Sequence, residues 1–362
     1  MVLVAASPCA LAISVPITVV SGIGAGTKFG VVIKSGAAFE ELGTVKTVVF
    51  DKTGTLTRNK PEVVSVHVSE RYSREQILAL AAALESSSSH PLAEAVLQAT
   101  TTRLEATDVQ EHSGHGVSGT VDGRAIRVGS PRWIDPEAFE TTVTEMSTQG
   151  MSIMVVSING DVAGVLGIRD ELRPEAVETV AELHRQGYST VILTGDNAMT
   201  ADAIAAEAGI TEVHANQLPQ DKAAFIERIS RNQKTAMIGD GINDAPALAA
   251  ATVGIAMGAT GSAAAVESAD VAFTGNDLRL IPEALAHARK GHRIMTGNIA
   301  IALAIIILLF PLALFGILGL AAVVLIHELA EVVVIGNGIR AARTKRRLER
   351  STVTGNQELV NH

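Results

Sequence analysis

Three stretches of this chain are apolar for longer than a buried strand or core helix requires, and between them apolar and polar positions alternate in short blocks. The first opens MVLVAASPCALAISVPITVV and carries no charge through residue 25. The second runs uncharged from Ile299 to Ile326, and the third resumes beyond His327, Glu328 and Glu331 and continues to Ile335. One straight helix over residues 299–335 would be roughly 55 Å long, against a hydrocarbon core of about 30 Å. The segment is therefore predicted to fold back as two spans, 291–316 and 317–340, with Gly316 and Gly319 at the turn. The tail, 341–362, continues the basic stretch RAARTKRRLER (340–350), which by the positive-inside rule puts tail and soluble body on the cytoplasmic side of a cell membrane.

Residues 1–25 are predicted as a further span. Pro8 and Pro16 each remove a helix donor, so this helix is expected to be kinked or locally unwound, a form tolerated in bilayers where the freed carbonyls line a site. A signal peptide or lipoprotein leader fits poorly: no basic residue precedes the apolar run, and Pro8 before Cys9 is not the small residue a cleavage site needs. With Met1 so close to this break, the expectation is of a larger protein in which this chain begins inside a span.

Between the spans, short β-branched runs alternate with helical patterns, which predicts a parallel sheet with helices on both faces. Three runs end in an acid: TVKTVVFD at Asp51, STVILTGD at Asp196 and KTAMIGD at Asp240. Helices are predicted over Pro174–Arg185, Ala198–Ala208 and Lys222–Arg231. In a doubly wound sheet the carboxyl ends of the strands share one edge, so the three acids are expected to converge. Any one of them alone reads as a helix N-cap, but three strand ends, with Asn243 and Asp244 beside the third, point to a site. Clustered carboxylates need a cation, and Mg²⁺ suits an all-oxygen site.

Composition adjusts this picture in three ways. The 362 residues are 47% hydrophobic and 19% charged, too apolar for a soluble protein and too charged for membrane helices alone. A net charge of -9 excludes nucleic acid as a partner, because phosphate neutralisation needs a basic surface. The single cysteine, Cys9, excludes an internal disulfide.

DKTGTLT (51–57), TGDN (194–197) and GDGINDAP (239–246), in this order, resemble the phosphorylation, hinge and magnesium motifs of P-type ATPases. That resemblance extends over essentially the whole chain and implies a haloacid-dehalogenase-like phosphorylation domain (26–59 and 161–290) with an inserted α+β nucleotide-binding domain (60–160). It implies ATP and Mg²⁺ as cofactors, Asp51 as the nucleophile, and Asp51, the Thr53 carbonyl and Asp240 as magnesium ligands. Lys222 in LPQDK would neutralise the transferring phosphoryl, with Thr194 and Asn243 donating to its oxygens and Asp196 and Asp244 completing the site. Phosphatases of the same class usually carry an Asp two residues after the nucleophile as acid and base. Thr53 cannot exchange protons that way, so a long-lived aspartyl phosphate is expected.

Residues 60–160 differ in texture, rich in Ser, Thr and Val and without strand-end acids. ESSSSHPLAEAV (85–96), GHGVSG (114–119) and VGS (128–130) resemble the nucleotide-binding domain of the heavy-metal (type IB) branch. The resemblance assigns nucleotide contacts to Glu85, His90, Gly114, Gly116 and Gly129; where the family often has Asn this chain has Ser130. Read alone, His90 is equally a helix-start residue before Pro91.

The same branch carries Cys-Pro-Cys or a variant in its fourth span, and Ser7-Pro8-Cys9 resembles the Ser-Pro-Cys subgroup, associated with cobalt and other divalent metals. Ionisable side chains are costly in a bilayer unless they meet each other, water or an ion, and His327 and Glu328 then have Ser7 and Cys9 as partners. HELAE begins like a zinc-protease helix, but its fifth position is Glu331, not His. The subgroup usually reads His-Glu-Gly-Gly-Thr, so Glu331 departs from it and leaves the metal open among cobalt, zinc, nickel and cadmium. On helical spacing Glu331 shares a stripe with both His327 and Glu328, and all three are expected to project together towards Cys9. One thiolate with imidazole and carboxylate suits a borderline divalent ion better than Cu(I).

No Thr-Gly-Glu actuator motif occurs in the chain. The reading is thus the C-terminal portion of a divalent-metal-exporting ATPase whose N-terminal part is the missing partner. A membrane-tethered phosphatase and a nucleotide-binding fragment without turnover are the alternatives.

Overall fold

A computed structural model of the chain describes residues 9–88, 91–112, 115–240, 244–258 and 267–343. The central sheet has the strand order β1 (Val31–Ile33), β13 (Val271–Phe273), β12 (Val253–Ala256), β11 (Thr235–Gly239), β2 (Thr47–Asp51), β9 (Ser189–Leu193) and β10 (Glu212–His214). All neighbours are parallel except the edge pair β1–β13. Strand β2 is buried at every position, as a β-branched run covered on both faces must be. The order reverses on either side of it, which makes this a doubly wound sheet with the ends of β2, β9 and β11 on one edge.

Helices α6 (Ala176–Arg185), α7 (Ala198–Ala208) and α8 (Pro219–Asn232) surround this sheet. Helix α7 starts where the Asn197 side chain accepts the Thr200 amide at 3.0 Å and stops at Gly209, whose φ of 79° only glycine adopts without strain. Helix α8 begins before the predicted Lys222, because Pro219 suits the first turn and the Asp221 carboxylate accepts the Leu218 amide at 3.1 Å.

The second sheet is wholly antiparallel, in the order β3 (Thr57–Val68), β8 (Asp161–Leu172), β7 (Ser152–Ile158), β6 (Arg124–Gly129), β5 (Gly116–Val121) and β4 (Ala106–His112). Helix α3 (Arg74–Glu85), opened by a Ser73–Gln76 capping box, and α4 (Pro91–Gln98) contribute to its core. The insertion expected at 60–160 therefore runs from Thr57 to Leu172, which pair with each other. An inserted domain leaves and returns through adjacent strands, and β8, assigned from sequence to the phosphorylation domain, is the return strand.

Three apolar helices complete the chain: α1 (Cys9–Thr27), α10 (Leu280–Leu314) and α11 (Leu320–Ile339). Among the described residues, two segments, Leu280–Leu314 and Leu320–Ala342, are long and apolar enough to cross a membrane. The chain reverses between them at Gly316, with φ 71°, and Gly319, which precedes α11. No helix end marks the expected border between body and span at 290: α10 is one helix of 35 residues whose first turns, including Ile281, Leu285 and Ala288, lie in the core of the central sheet. Nothing after Leu280 stops the helix, since Gly291 lies against the Phe39 ring and gives it room. The break expected at Pro16 is also absent. Helix α1 continues through it, with Pro16 on its exposed face and the Thr18 hydroxyl donating to the Ser14 carbonyl at 2.8 Å. Ser7 and Pro8 lie outside the described residues.

Candidate functional site

The central sheet fixes the site by register. Asp51 pairs with Leu193 and Phe50 with Ile238, so Asp51, Thr194 and Asp240 follow neighbouring strand ends. A turn over Lys52–Leu56 then carries the chain away, possible because Gly54 adopts φ 77°. A side chain at Gly54 would collide with the Asp240 carboxylate, so glycine is required there by space as well as conformation. Asp51, 4% exposed, accepts the Lys222 ammonium at 2.5 Å, and Asp244 accepts it at 2.7 Å. The first turns of α8 thereby point a cation at Asp51.

Burial raises the Asp51 carboxyl to about 7, with Asp244 and Asp240 pushing the same way and Lys222 opposing them. Burial disfavours the Lys222 charge, but Asp51 and Asp244 outweigh it and hold the ammonium above its usual value. Two of these carboxylates, Asp51 and Asp244, share one ammonium, and Asp240 is near enough to Asp51 to act on it electrostatically. An all-oxygen set of this kind, in a cradle kept open by Gly54, fits Mg²⁺. Thr194 is buried and its hydroxyl accepts the Asp196 amide at 3.2 Å; Asp196 forms an ion pair with Lys52. Asn243 lies outside the described residues.

In the inserted domain, Gly116 and Gly129 lie opposite one another in the β5–β6 ladder. A side chain at Gly116 would strike the Val128 carbonyl, and one at Gly129 would come within 2.6 Å of the Trp133 ring. Glu85 closes α3 and is buried; desolvation, reinforced by Glu111, raises its carboxyl to about 7. Ser130 Oγ is buried without a hydrogen-bond partner among the described residues. His90 and Gly114 lie outside them.

On α11, the buried stripe is Val323, His327, Ala330, Val334 and Gly338, and Gly338 meets Ile17 and Thr18 of α1. His327 is 8% exposed and its Nε2 has no hydrogen-bond partner among the described residues. Glu331, one turn on, is half-buried, whereas Glu328 is exposed. Consecutive helical residues diverge by about 100°, so His327 and Glu328 leave α11 in different directions. The Ser7 position and the Cys9 side chain lie outside the description, and among the described residues no three His, Cys, Asp or Glu side chains gather as a metal site.

Residues that sequence reading passed over brace the turn that leaves the first site. Arg173 donates to the Gly54 and Thr55 carbonyls and Asp170 accepts from Thr57 and Lys60, all at the foot of the strand pair joining the two sheets. The only sequence signal was the charged cluster RDELR at 169–173, indistinguishable there from a solvated strand end.

The model for haloacid dehalogenase-like hydrolases matches residues 45–252. A probable cation-transporting ATPase G of Mycobacterium tuberculosis is 54% identical over 344 residues, covering 95% of this chain and 45% of that protein. A cadmium-transporting ATPase of Staphylococcus aureus is 39% identical over 360 residues, with 95% and 50% covered. The crystal structure of a zinc-transporting PIB-type ATPase in its E2.Pi state superposes with a TM-score of 0.80 at 39% identity, over 93% of this chain and 56% of that one. This chain belongs to the haloacid dehalogenase-like hydrolases and, among them, to the heavy-metal P-type ATPases. It spans about half the length of the curated relatives it matches.

Proposed function

We propose that this chain is the catalytic and ion-pathway portion of an ATP-driven exporter of a divalent transition metal, working through an aspartyl phosphate on Asp51. The observation that carries the reading is the Lys222 ammonium held between Asp51 and Asp244 at the carboxyl edge of the central sheet. The Asp51 carboxylate attacks the γ-phosphorus of ATP, forming an O–P bond as the bond to the ADP oxygen breaks, and Lys222 offsets charge on the phosphoryl oxygens. Asp51, Asp240 and the Thr53 carbonyl would hold Mg²⁺, which supplies further charge neutralisation when bound. Thr194 and Asn243 donate to the phosphoryl oxygens, while Glu85, His90, Gly114, Gly116 and Gly129 hold the adenine end. Without a proton-exchanging group at Thr53, the acyl phosphate is long-lived.

For the transported ion, cobalt is the first choice and zinc, nickel or cadmium the others. Ser7, Cys9, His327, Glu328 and Glu331 are the proposed ligands. The buried, unpartnered Nε2 of His327 supports this reading, as does the inward position of Glu331. The relatives' names speak of cadmium and zinc for those proteins. The soluble sheets lie on the cytoplasmic side of the plasma membrane in this reading.

The full chain in detergent, incubated with γ-labelled ATP and Mg²⁺, is expected to form an acid-stable, hydroxylamine-labile phosphoprotein that Asp51→Asn abolishes. Rapid release of phosphate from simple phosphomonoesters without a trapped intermediate would favour a tethered phosphatase. Retention of label in Asp51→Asn would remove Asp51 as nucleophile.

A further inference from the structure

Arg173 follows the last residue of β8, the strand by which the chain returns from the inserted domain. Its guanidinium is half-buried and forms no ion pair among the described residues. It donates instead to backbone carbonyls: Nε to Thr55 at 2.8 Å, Nη2 to Gly54 at 2.9 Å and Nη1 to Asn276 at 3.3 Å. Its amide donates to the Leu56 carbonyl at 2.9 Å. Three consecutive carbonyls of the turn that leaves Asp51 therefore end on one residue.

Three residues earlier, the Asp170 carboxylate accepts the Thr57 hydroxyl at 2.5 Å and the Lys60 amide at 3.0 Å, fixing the start of the outgoing strand β3. The two side chains bracket the crossing between the sheets. On one side lies the turn Lys52–Leu56 and on the other the β3–β8 pair that carries the inserted domain.

A peptide unit is planar, so holding the Gly54 and Thr55 carbonyls also fixes the amides of Thr55 and Leu56. Gly54, at φ 77°, has more conformational freedom than any other residue in the turn, and its peptide plane would be the first to rotate if unheld. The next carbonyl towards the nucleophile is that of Thr53, and the next side chain of the cradle is Asp240, against which Gly54 packs. A guanidinium suits this place because its planar fork reaches two carbonyls at once and keeps its charge at every physiological pH.

We propose that Arg173 is a positioning residue for phosphoryl transfer: it registers the phosphorylation turn against the return strand of the inserted domain, so that the Asp51 and Thr53 oxygens are aligned when that domain presents ATP. Asp170 supports it by fixing the first residues of β3. Arg173 touches neither ATP nor the phosphoryl group in this role, which sets it apart from Lys222. The proposal rests on the phosphorylation of Asp51 described above.

The test uses the full chain in detergent with ATP and Mg²⁺. Arg173→Ala is expected to slow phosphoprotein formation by about 100-fold, the loss that ångström-scale misplacement of reacting groups brings. Binding of a non-hydrolysable ATP analogue should stay within about twofold, since uniform binding is untouched. Added ethylguanidinium is expected to restore part of the rate to Arg173→Ala, and backbone amide resonances of residues 53–57 should shift while those of β5 and β6 do not. Arg173→Lys keeps the charge without the fork and is expected to remain slow; it also decides the matter if the alanine variant does not fold. Wild-type phosphorylation rates in folded Arg173→Ala or Arg173→Lys, or a loss of analogue binding equal to the loss of rate, would overturn the proposal. If the wild-type chain forms no phosphoprotein, the failure lies with the Asp51 reading instead.

Discussion

Glu85 is a buried carboxyl whose charged neighbour is another acid, Glu111, and its energetics can be followed directly. Its pKa rises from 4.5 to about 7 through burial and the neighbouring Glu111. A folded-state value above the unfolded one means that the native domain keeps a proton the unfolded chain releases across that window. Stability is therefore full below about pH 4.5 and falls as pH rises towards 7. Glu85→Gln removes the falling limb. Urea unfolding followed by the fluorescence of the single tryptophan, Trp133, is expected to gain up to about 3 kcal/mol at pH 8 and little at pH 4. Equal unfolding of the two proteins at both pH values would mean that Glu85 is ionised in the native domain. On α11 the inward pair is His327 and Glu331. Alanine at either is expected to weaken Co²⁺ or Zn²⁺ binding to the detergent-solubilised chain by about 10- to 100-fold, and Glu331→Thr should recover part of it. Calorimetry showing wild-type affinity in Glu331→Ala would leave Glu331 as a residue of the water-filled mouth.

At the scale of elements, the turn after β2 and the joint between α1, α2 (Gly36–Leu42) and α10 are two places where packing leaves little room. Gly54→Ala places a side chain at φ 77° and against the Asp240 carboxylate. The backbone strain alone is about 1–2 kcal/mol. We expect a modest loss of stability with a larger loss of phosphoprotein, read by thermal unfolding and by labelling in the same preparation. At the joint, the Phe39 ring of α2 fits between Gly22 of α1 and Gly291 of α10, where a Cβ on either glycine would overlap it. His287 packs edge-on against the same ring and bonds the Gly22 carbonyl at 2.8 Å. Phe39→Ala is expected to cost about 3–5 kcal/mol, the usual loss for a buried aromatic. Trypsin cleavage near Lys28 and Lys34 should become faster in this variant, and an unchanged digestion pattern would show that the joint does not depend on the ring.

For the whole molecule, one continuous helix joins the core of the central sheet to the apolar hairpin, and a polar chain centred on one buried residue ties that hairpin together. Asn298, fully buried on α10, donates to the Val334 carbonyl at 3.2 Å and accepts from Asn337 at 2.7 Å, while Arg340 donates to Asn337 at 2.9 Å. The alternation of β-branched runs with helices, the acids at the ends of β2 and β11, and the two apolar spans were legible in the sequence. Each is a local pattern of residue types repeating at the period of one element, and such patterns survive without knowledge of their neighbours. The return strand β8 was misassigned because its apolar run is compatible with either sheet until β3 pairs with it. The separation of Glu328 from His327 and Glu331 depended on which face of α11 meets α1. Arg173 was illegible because its partners are main-chain carbonyls 118 and 119 residues away, and a carbonyl has no residue type to read. The sequence by itself determined the alternation of strands and helices, the two long apolar segments and the acids at the strand ends. The tertiary structure alone decided which sheet owns each strand, which helix face is inward and which donors the turn after β2 receives, because these follow from contacts between segments that folding alone brings together.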